Sequence, residues 1–487
     1  MSGEQAVKIL GLTEAGGRYA AGLTVADAQY HLHVPGVTGT GKTTLLASLI
    51  LSDARAGRGA VVLDPKGDMV TDLLDRLPAR MAGRLVLIDP AETGAPPALN
   101  VLDGADPELA ADQVVTIFRR VFAAWWGPRM DDILRCACLT LGRVPGATLA
   151  DIPALLTDPA VRAPLVQAAG ADPFLRGFWR WYEALSEAGQ ANAAGPVLSK
   201  LRAVLTRRFA ADLLGAARST FDMGAVLDGG LLLARLPKGL LGEETARLAG
   251  SLIIAKVWQA ALARAGTPER QRRDAALYAD ECQNFLHLPG ALEDILAEAR
   301  GYRLSLVLAH QHLDQLPREL AAAVSANARN KVCFTLDPAD ARTLARHLGP
   351  VLGEDDLAHL GRYQAACRLI ADGEETGGFT VRTLPLPDAV PGRGEALRAS
   401  ARQRYGRTRE QRRRDDLQRL RPGRLRPGHT TGKPGRVSPG VSAGVPAGVS
   451  PGVLQTPGET RPPARPAGQL RRGFGQPAAG PDSWDKP

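Results

Sequence analysis

Cysteine is scarce in this sequence, with five among 487 residues, at positions 136, 138, 282, 333 and 367. None stands in a C-x-x-C pair or beside a histidine at metal-ligand spacing, which excludes a zinc-knuckle or disulfide scaffold. Cys136 and Cys138 lie two apart in a helical pattern and point to different faces, as small buried thiols do in a reducing compartment. Aromatic residues make up only 5% of the chain. Long apolar runs are missing too. The longest, Leu248–Ala263, is broken by Lys256 and Gln259, so no membrane span is expected. Met1–Leu10 lacks the apolar centre of a signal peptide. A cytoplasmic protein is the expectation.

An apolar content of 45% allows a sizeable core, and the length suits two or three domains. The net charge of +9 is unevenly spread. From Pro391 onward there are 20 Lys and Arg against 7 Asp and Glu, which leaves 40 basic and 44 acidic residues before it. A slightly acidic body therefore carries a basic end, and a polyanion partner for that end is expected.

The stretch that organises the chain is Tyr30–Ile50. Leu32 and Val34 mark a short strand, an apolar run from Leu45 marks a helix, and glycines lie between. Gly36-Val-Thr-Gly-Thr-Gly-Lys-Thr43 fits G-x-x-x-x-G-K-[ST], the spacing of a phosphate-binding loop. Glycines let the backbone wrap phosphates, and the following helix adds the positive end of its dipole. Lys42 reaches the terminal phosphate and the Thr43 hydroxyl ligates Mg²⁺. Gly36, Thr38, Gly39, Thr40, Gly41, Lys42, Thr43 and Thr44 form the expected site for ATP.

Apolar runs ending in an acid recur at Gly59–Asp64, Arg84–Asp89 and Ala275–Asp280. Others lie at Gly230–Leu236, Leu304–Ala309 and Lys331–Thr335, with a closing pair at Tyr363–Ile370 and Gly378–Arg382. Runs this apolar, alternating with helices, indicate an α/β fold with a parallel sheet covered on both faces. Asp280 and Glu281 end one such run. Asp280 is expected to hold Mg²⁺ with Thr43, and Glu281 to deprotonate the attacking water. Gln311, after the next strand, would face the ligand crevice and sense the γ-phosphate. Arg300 either stabilises charge on that phosphate, in cis or from a neighbouring subunit, or is a surface arginine. His310 and His312 have no carboxylate or cysteine at ligand spacing, so solvated or supporting roles are expected. Asp64-Pro-Lys-Gly-Asp68 reads as a strand-to-helix turn.

The segment from about 106 to 227 follows a helical period and is too long for a loop. The expected division is therefore 1–105 and 228–390 for the two parts of the core, with an all-α insertion at 106–227. A basic Gly/Pro/Arg-rich tail follows at 391–487, disordered except for a basic helix from Glu395 to about Leu420. Trp125, Trp126, Trp179 and Trp181 in the insertion either anchor packing or stack on bases. Asn330-Lys-Val-Cys333 lacks the aspartate that reads guanine.

Taken together, GVTGTGKTT, VVLDPKGD, FRRVFAAWWGPRMDDILR, YADECQNF and EARGYRLSLVLAHQHLDQL resemble the VirD4/TraG/TraD coupling proteins of conjugation, within the HerA/FtsK class of DNA-pumping ATPases. The resemblance covers most of residues 29–385. It implies a RecA-like ATPase core with an all-α insertion, assembled as a hexamer around DNA, with a relaxase or secretion-channel partner. It also implies that Arg300 reaches a neighbour's site and that Gln311 is the sensor. Membrane-anchored members carry transmembrane helices ahead of the loop, whereas 35 residues precede Gly36 here. A soluble relative, or one recruited to the inner face of the membrane by a partner, is the expectation. Protein export by the same motor is the alternative.

Overall fold

A computed structural model describes residues 7–14, 17–104, 106–170, 172–286, 292–412 and 414. Eleven strands build its main sheet: β1 (Val7–Thr13), β2 (Ala20–Thr24), β3 (Leu32–Pro35), β4 (Gly59–Asp64), β5 (Leu85–Ile88), β6 (Leu231–Arg235), β7 (Ala275–Ala279), β8 (Leu304–His310), β9 (Asn330–Cys333), β10 (Gln364–Arg368) and β11 (Phe379–Arg382). Their spatial order is β2-β1-β11-β10-β9-β3-β8-β7-β4-β6-β5. The run from β9 to β5 is parallel. The four strands beyond β9 pair antiparallel and extend one flank.

Composition explains the parallel part. β3, β4, β5, β7 and β8 are buried at every position, as strands roofed by helices on both faces must be. Alternate residues feed two cores. Val62, Leu233, Tyr278 and Val307 meet Leu45, Leu46 and Ile50 of the Lys42–Ala56 helix. Val61, Leu63, Val86, Leu277 and Leu308 face the other way and join Phe118, Ile133 and Leu201. Those three belong to the helices that occupy the chain between β5 and β6. The helical segment therefore shares its apolar core with one face of the sheet.

The helix at Arg393–Tyr405 extends the fold past residue 390, where the sequence placed the start of the tail. It buries Leu397 and Ala401 in the first of those cores. Arg398 reaches Asp89 at 2.7 Å, Arg402 reaches Glu92 at 2.7 Å, and the Tyr405 hydroxyl donates to the Gly83 carbonyl at 3.0 Å. The helix ends at Gly406, helical residues resume at 409–412, and residues 415–420 of the stretch expected to be helical lie outside the described residues. The Gly/Pro/Val-rich stretch near 438–453 lies outside the described residues.

Register brings the chemistry together. Pro35 stands level with His310, Leu63 with Ala279 and Asp64 with Arg235, so the carboxyl ends of β3, β8, β7, β4 and β6 open on one edge. That edge is where parallel sheets bind ligands.

Candidate nucleotide site

The loop after β3 is suspended between its neighbours. The Gly36 N–H donates to the His310 carbonyl at 3.3 Å and the Val37 N–H to the Thr335 carbonyl at 2.9 Å. Two glycines are required sterically. Gly36 has φ +154°, and a Cβ there would lie 2.6 Å from Cβ of Phe334. Gly41 has φ +125°, and its Cβ would meet the rings of Phe334 and Tyr363 at 3.0 Å each. The Thr40 hydroxyl donates to the Val37 carbonyl at 2.8 Å, closing the turn.

Lys42 opens the Lys42–Ala56 helix and is buried. Its ammonium donates to the Gly36 carbonyl and, at 3.0 Å, to that of Val37. Burial lowers its pKa, against the pull of Glu281 and Asp280. Thr43 and Thr44 follow on the first turn, Thr43 exposed and Thr44 half-buried.

Next door, β7 delivers both acids. Glu281 adopts a left-handed conformation with φ +46°, costly for a residue with a side chain, and its N–H donates to Asp280 Oδ1 at 3.1 Å. The Glu281 carboxylate accepts from Gln311 Nε2, from Lys66 Nζ at 3.0 Å and from Gln283 Nε2 at 3.1 Å. Burial pushes its pKa up, but these donors outweigh burial and hold it below the ordinary value. Asp280 has the opposite balance. Burial, then the charges of Glu281 and Asp64, push it up to about 6.

The Gln311 Oε1 in turn accepts from the Thr38 hydroxyl at 2.8 Å. Thr38, Gln311 and Glu281 thus form one hydrogen-bonded chain from the loop to the acid. Three buried carboxylates, Asp64, Asp280 and Glu281, face two lysines, Lys42 and Lys66. That excess of negative charge, with Asp280 held up by it, fits a divalent cation.

Lys66 and Gln283 were not identified from sequence. Asp64 does build the expected turn, accepting from the N–H groups of Lys66, Gly67 and Val70 at 3.0, 2.7 and 3.0 Å. The same turn, however, aims Lys66 at Glu281. Its pKa is lowered by burial and raised more strongly by the carboxylates of Glu281, Asp280 and Asp64 together. A lysine directly after an acid-ended parallel strand was the available signal.

Arg300 is not brought to this edge. It precedes β8, whereas Gln311 follows it, and a seven-residue strand spans about 20 Å at roughly 3.3 Å per residue. The guanidinium is exposed and lies 4.0 Å from the centroid of the Tyr30 ring.

Of the two histidines, His310 takes the supporting rather than the solvated role. His310 is fully buried, with its Nε2 2.6 Å from Nε2 of His33, and burial lowers its pKa to about 4. His312 does have carboxylates nearby, because the fold brings Asp337 to 3.1 Å from Nδ1 and places Asp340 beside it. Among the tryptophans, Trp179 is a packing anchor, buried and donating to the Thr140 hydroxyl at 2.9 Å. Trp126 is half-buried and donates to Asp131 at 3.2 Å, while Trp125 and Trp181 are exposed.

Residues 274–359 match the family model described as the TraM recognition site of TraD and TraG. That stretch includes Asp280, Glu281, Arg300 and Gln311. No curated protein matches the chain. Among solved structures, the bacterial conjugative coupling protein TrwBdeltaN70 is 17% identical, with 79% of this chain and 90% of that one covered and a TM-score of 0.55. The plasmid coupling protein TrwB in complex with ADP and Mg²⁺ is 16% identical over 80% of this chain and 93% of that one, with a TM-score of 0.53. VirB4 of Thermoanaerobacter pseudethanolicus is 15% identical over 81% and 98%, with a TM-score of 0.53. At these identities the likeness is one of fold, and it bears out the RecA-like α/β core expected from sequence.

Proposed function

We propose that this chain, a coupling protein of the VirD4/TraG type by its TraD/TraG segment and its fold, hydrolyses ATP to drive DNA through a transfer apparatus. The observation that carries the hydrolytic part is the chain of hydrogen bonds from Thr38 through Gln311 to Glu281. It links the loop that grips phosphate to the acid that activates water, and an ATP-binding scaffold without turnover has no use for that link.

The geometry supports the following residue roles. Lys42 exchanges the Gly36 and Val37 carbonyls for the terminal phosphate when nucleotide enters. Glu281, ionised at neutral pH because its three donors lower its pKa, takes a proton from the attacking water. Gln311 holds that carboxylate and registers the γ-phosphate through Thr38. Asp280 and the Thr43 hydroxyl would hold Mg²⁺, which when bound neutralises charge on the β- and γ-phosphates. Arg300 serves a neighbouring subunit's site, since its own lies at the far end of β8. Such an arrangement requires more than one subunit, and a hexamer around DNA is the assembly proposed.

The match to a TraM recognition region supports a relaxosome component as partner. Among the described residues no helix is long and apolar enough to cross a membrane. Recruitment to the inner face of the membrane by a partner protein is part of the proposal. The test is ATP turnover measured against DNA form and length. Stimulation by DNA, abolished by Lys42→Ala and by Glu281→Gln, is expected. Turnover indifferent to DNA but raised by an unfolded protein would transfer the motor to protein cargo.

A further inference from the structure

We propose that Tyr30 is a positioning residue for Arg300, holding the arginine in the attitude in which a neighbouring subunit's nucleotide site receives it. The inference rests on the reading of Arg300 as an arginine acting in trans.

Tyr30 lies between two guanidinium groups, with Arg300 4.0 Å and Arg329 4.9 Å from its ring centroid. The two cations are held differently. Arg329 is anchored by Glu375, whose Oε1 accepts from its Nε and Nη2 at 3.3 Å each. For Arg300, no ion pair with a carboxylate occurs among the described residues, and the face of Tyr30 is its seat. An arginine that must leave its own subunit to meet a phosphate gains from such a holder. A ring restrains the guanidinium plane without competing for its N–H donors.

The seat is itself rigid. The Arg329 N–H donates to the Tyr30 carbonyl at 2.9 Å. The adjacent His31 is buried and takes a left-handed φ of +59°. Its Nδ1 accepts from the Leu306 N–H at 3.1 Å, so Nε2 carries the proton and donates to the Leu296 carbonyl at 2.6 Å. Those two bonds tie the Leu292–Ala299 helix, which leads into Arg300, to β8. One strand later, at the carboxyl end of β3, the phosphate loop begins. β3 therefore carries the seat for the arginine at one end and the chain's own phosphate loop at the other.

The experiment measures DNA-stimulated ATP turnover and ADP affinity in full-length Tyr30→Leu, Tyr30→Phe, Arg300→Ala and the Tyr30→Leu/Arg300→Ala double variant. Tyr30→Leu is expected to slow kcat about three- to tenfold with ADP affinity unchanged, and Tyr30→Phe to keep the rate. The double variant should be no slower than Arg300→Ala alone, because Tyr30 acts through the arginine. If Tyr30→Leu costs the same factor in both backgrounds, or weakens ADP binding, the positioning role is overturned in favour of a structural one. If Arg300→Ala slows turnover while Tyr30→Leu does not, the Tyr30 proposal alone falls. If Arg300→Ala leaves turnover intact, the arginine reading beneath it falls.

Discussion

Asp280 stands between stability and function, and Asp280→Asn separates the two. Its carboxyl is held up to about 6, against an ordinary 3.8, by burial and by the charges of Glu281 and Asp64. A difference of roughly two units corresponds to about 3 kcal/mol between protonation states. The sign follows from the raised value. Well below pH 3.8 the carboxyl is neutral in folded and unfolded chains alike, and the site costs nothing. As pH rises from about 4 to 6 the unfolded chain releases the proton first, and folding loses stability up to about 3 kcal/mol, after which the loss is constant.

Asparagine is isosteric, cannot ionise, and still offers Oδ1 to the Glu281 N–H, which now lies 3.1 Å from it. Without nucleotide or Mg²⁺, Asp280→Asn should lie within about 1 kcal/mol of the parent at pH 4 and exceed it by about 3 kcal/mol at pH 7.5. With an unfolding entropy of about 2.1 cal/mol/K per residue over roughly 400 ordered residues, Tm should rise by about 3–4 °C. Scanning calorimetry across pH 4–8 measures it, and the same protein should hydrolyse no ATP. A Tm difference that is constant with pH would refute the reasoning, as would a variant less stable than the parent at pH 7.5.

Two further outcomes follow. Gln311→Ala removes the donor to Glu281 and the acceptor of Thr38, and a hydrogen bond to a charged group contributes about 1.5–3 kcal/mol. Turnover at saturating ATP should fall about 10- to 100-fold while ADP affinity, measured by calorimetry, stays within about twofold. Ending the chain at Val390 removes Arg398 from the buried Asp89, leaving it Arg235 at 3.1 Å, and uncovers the surface that Leu397 and Ala401 occupy. A loss of about 3–5 kcal/mol is expected, whereas ending at residue 414 should leave Tm unchanged within about 1 °C.

What sequence revealed and what it hid divides by the range of the interactions. β4, β7 and β8 were legible because both faces of each are roofed, so nearly every position must be apolar and no register is needed to see it. The phosphate loop was legible because its glycines answer to local sterics, with Phe334 only closing on a backbone already committed. Asp280 and Glu281 were found for the same local reason, as acids at the end of an apolar strand. Lys66 stood in plain view in the same pattern, but its reach to Glu281 depends on β4 lying beside β7, which strand composition does not encode. His312 and Asp337 are 25 residues apart and meet only because the chain after β9 returns to the end of β8. A basic helix from Glu395 was legible, but the docking of the Arg393–Tyr405 helix on the core was hidden by its own chemistry. The helix buries two small apolar anchors, Leu397 and Ala401, and otherwise docks through Arg398 and Arg402 on acids that lie some 310 residues earlier. Arginine used as an anchor looks, in sequence, like arginine in a solvated tail. The distinction lies in whether a buried carboxylate waits for it, and Asp89, itself the acid ending an apolar run, was that carboxylate.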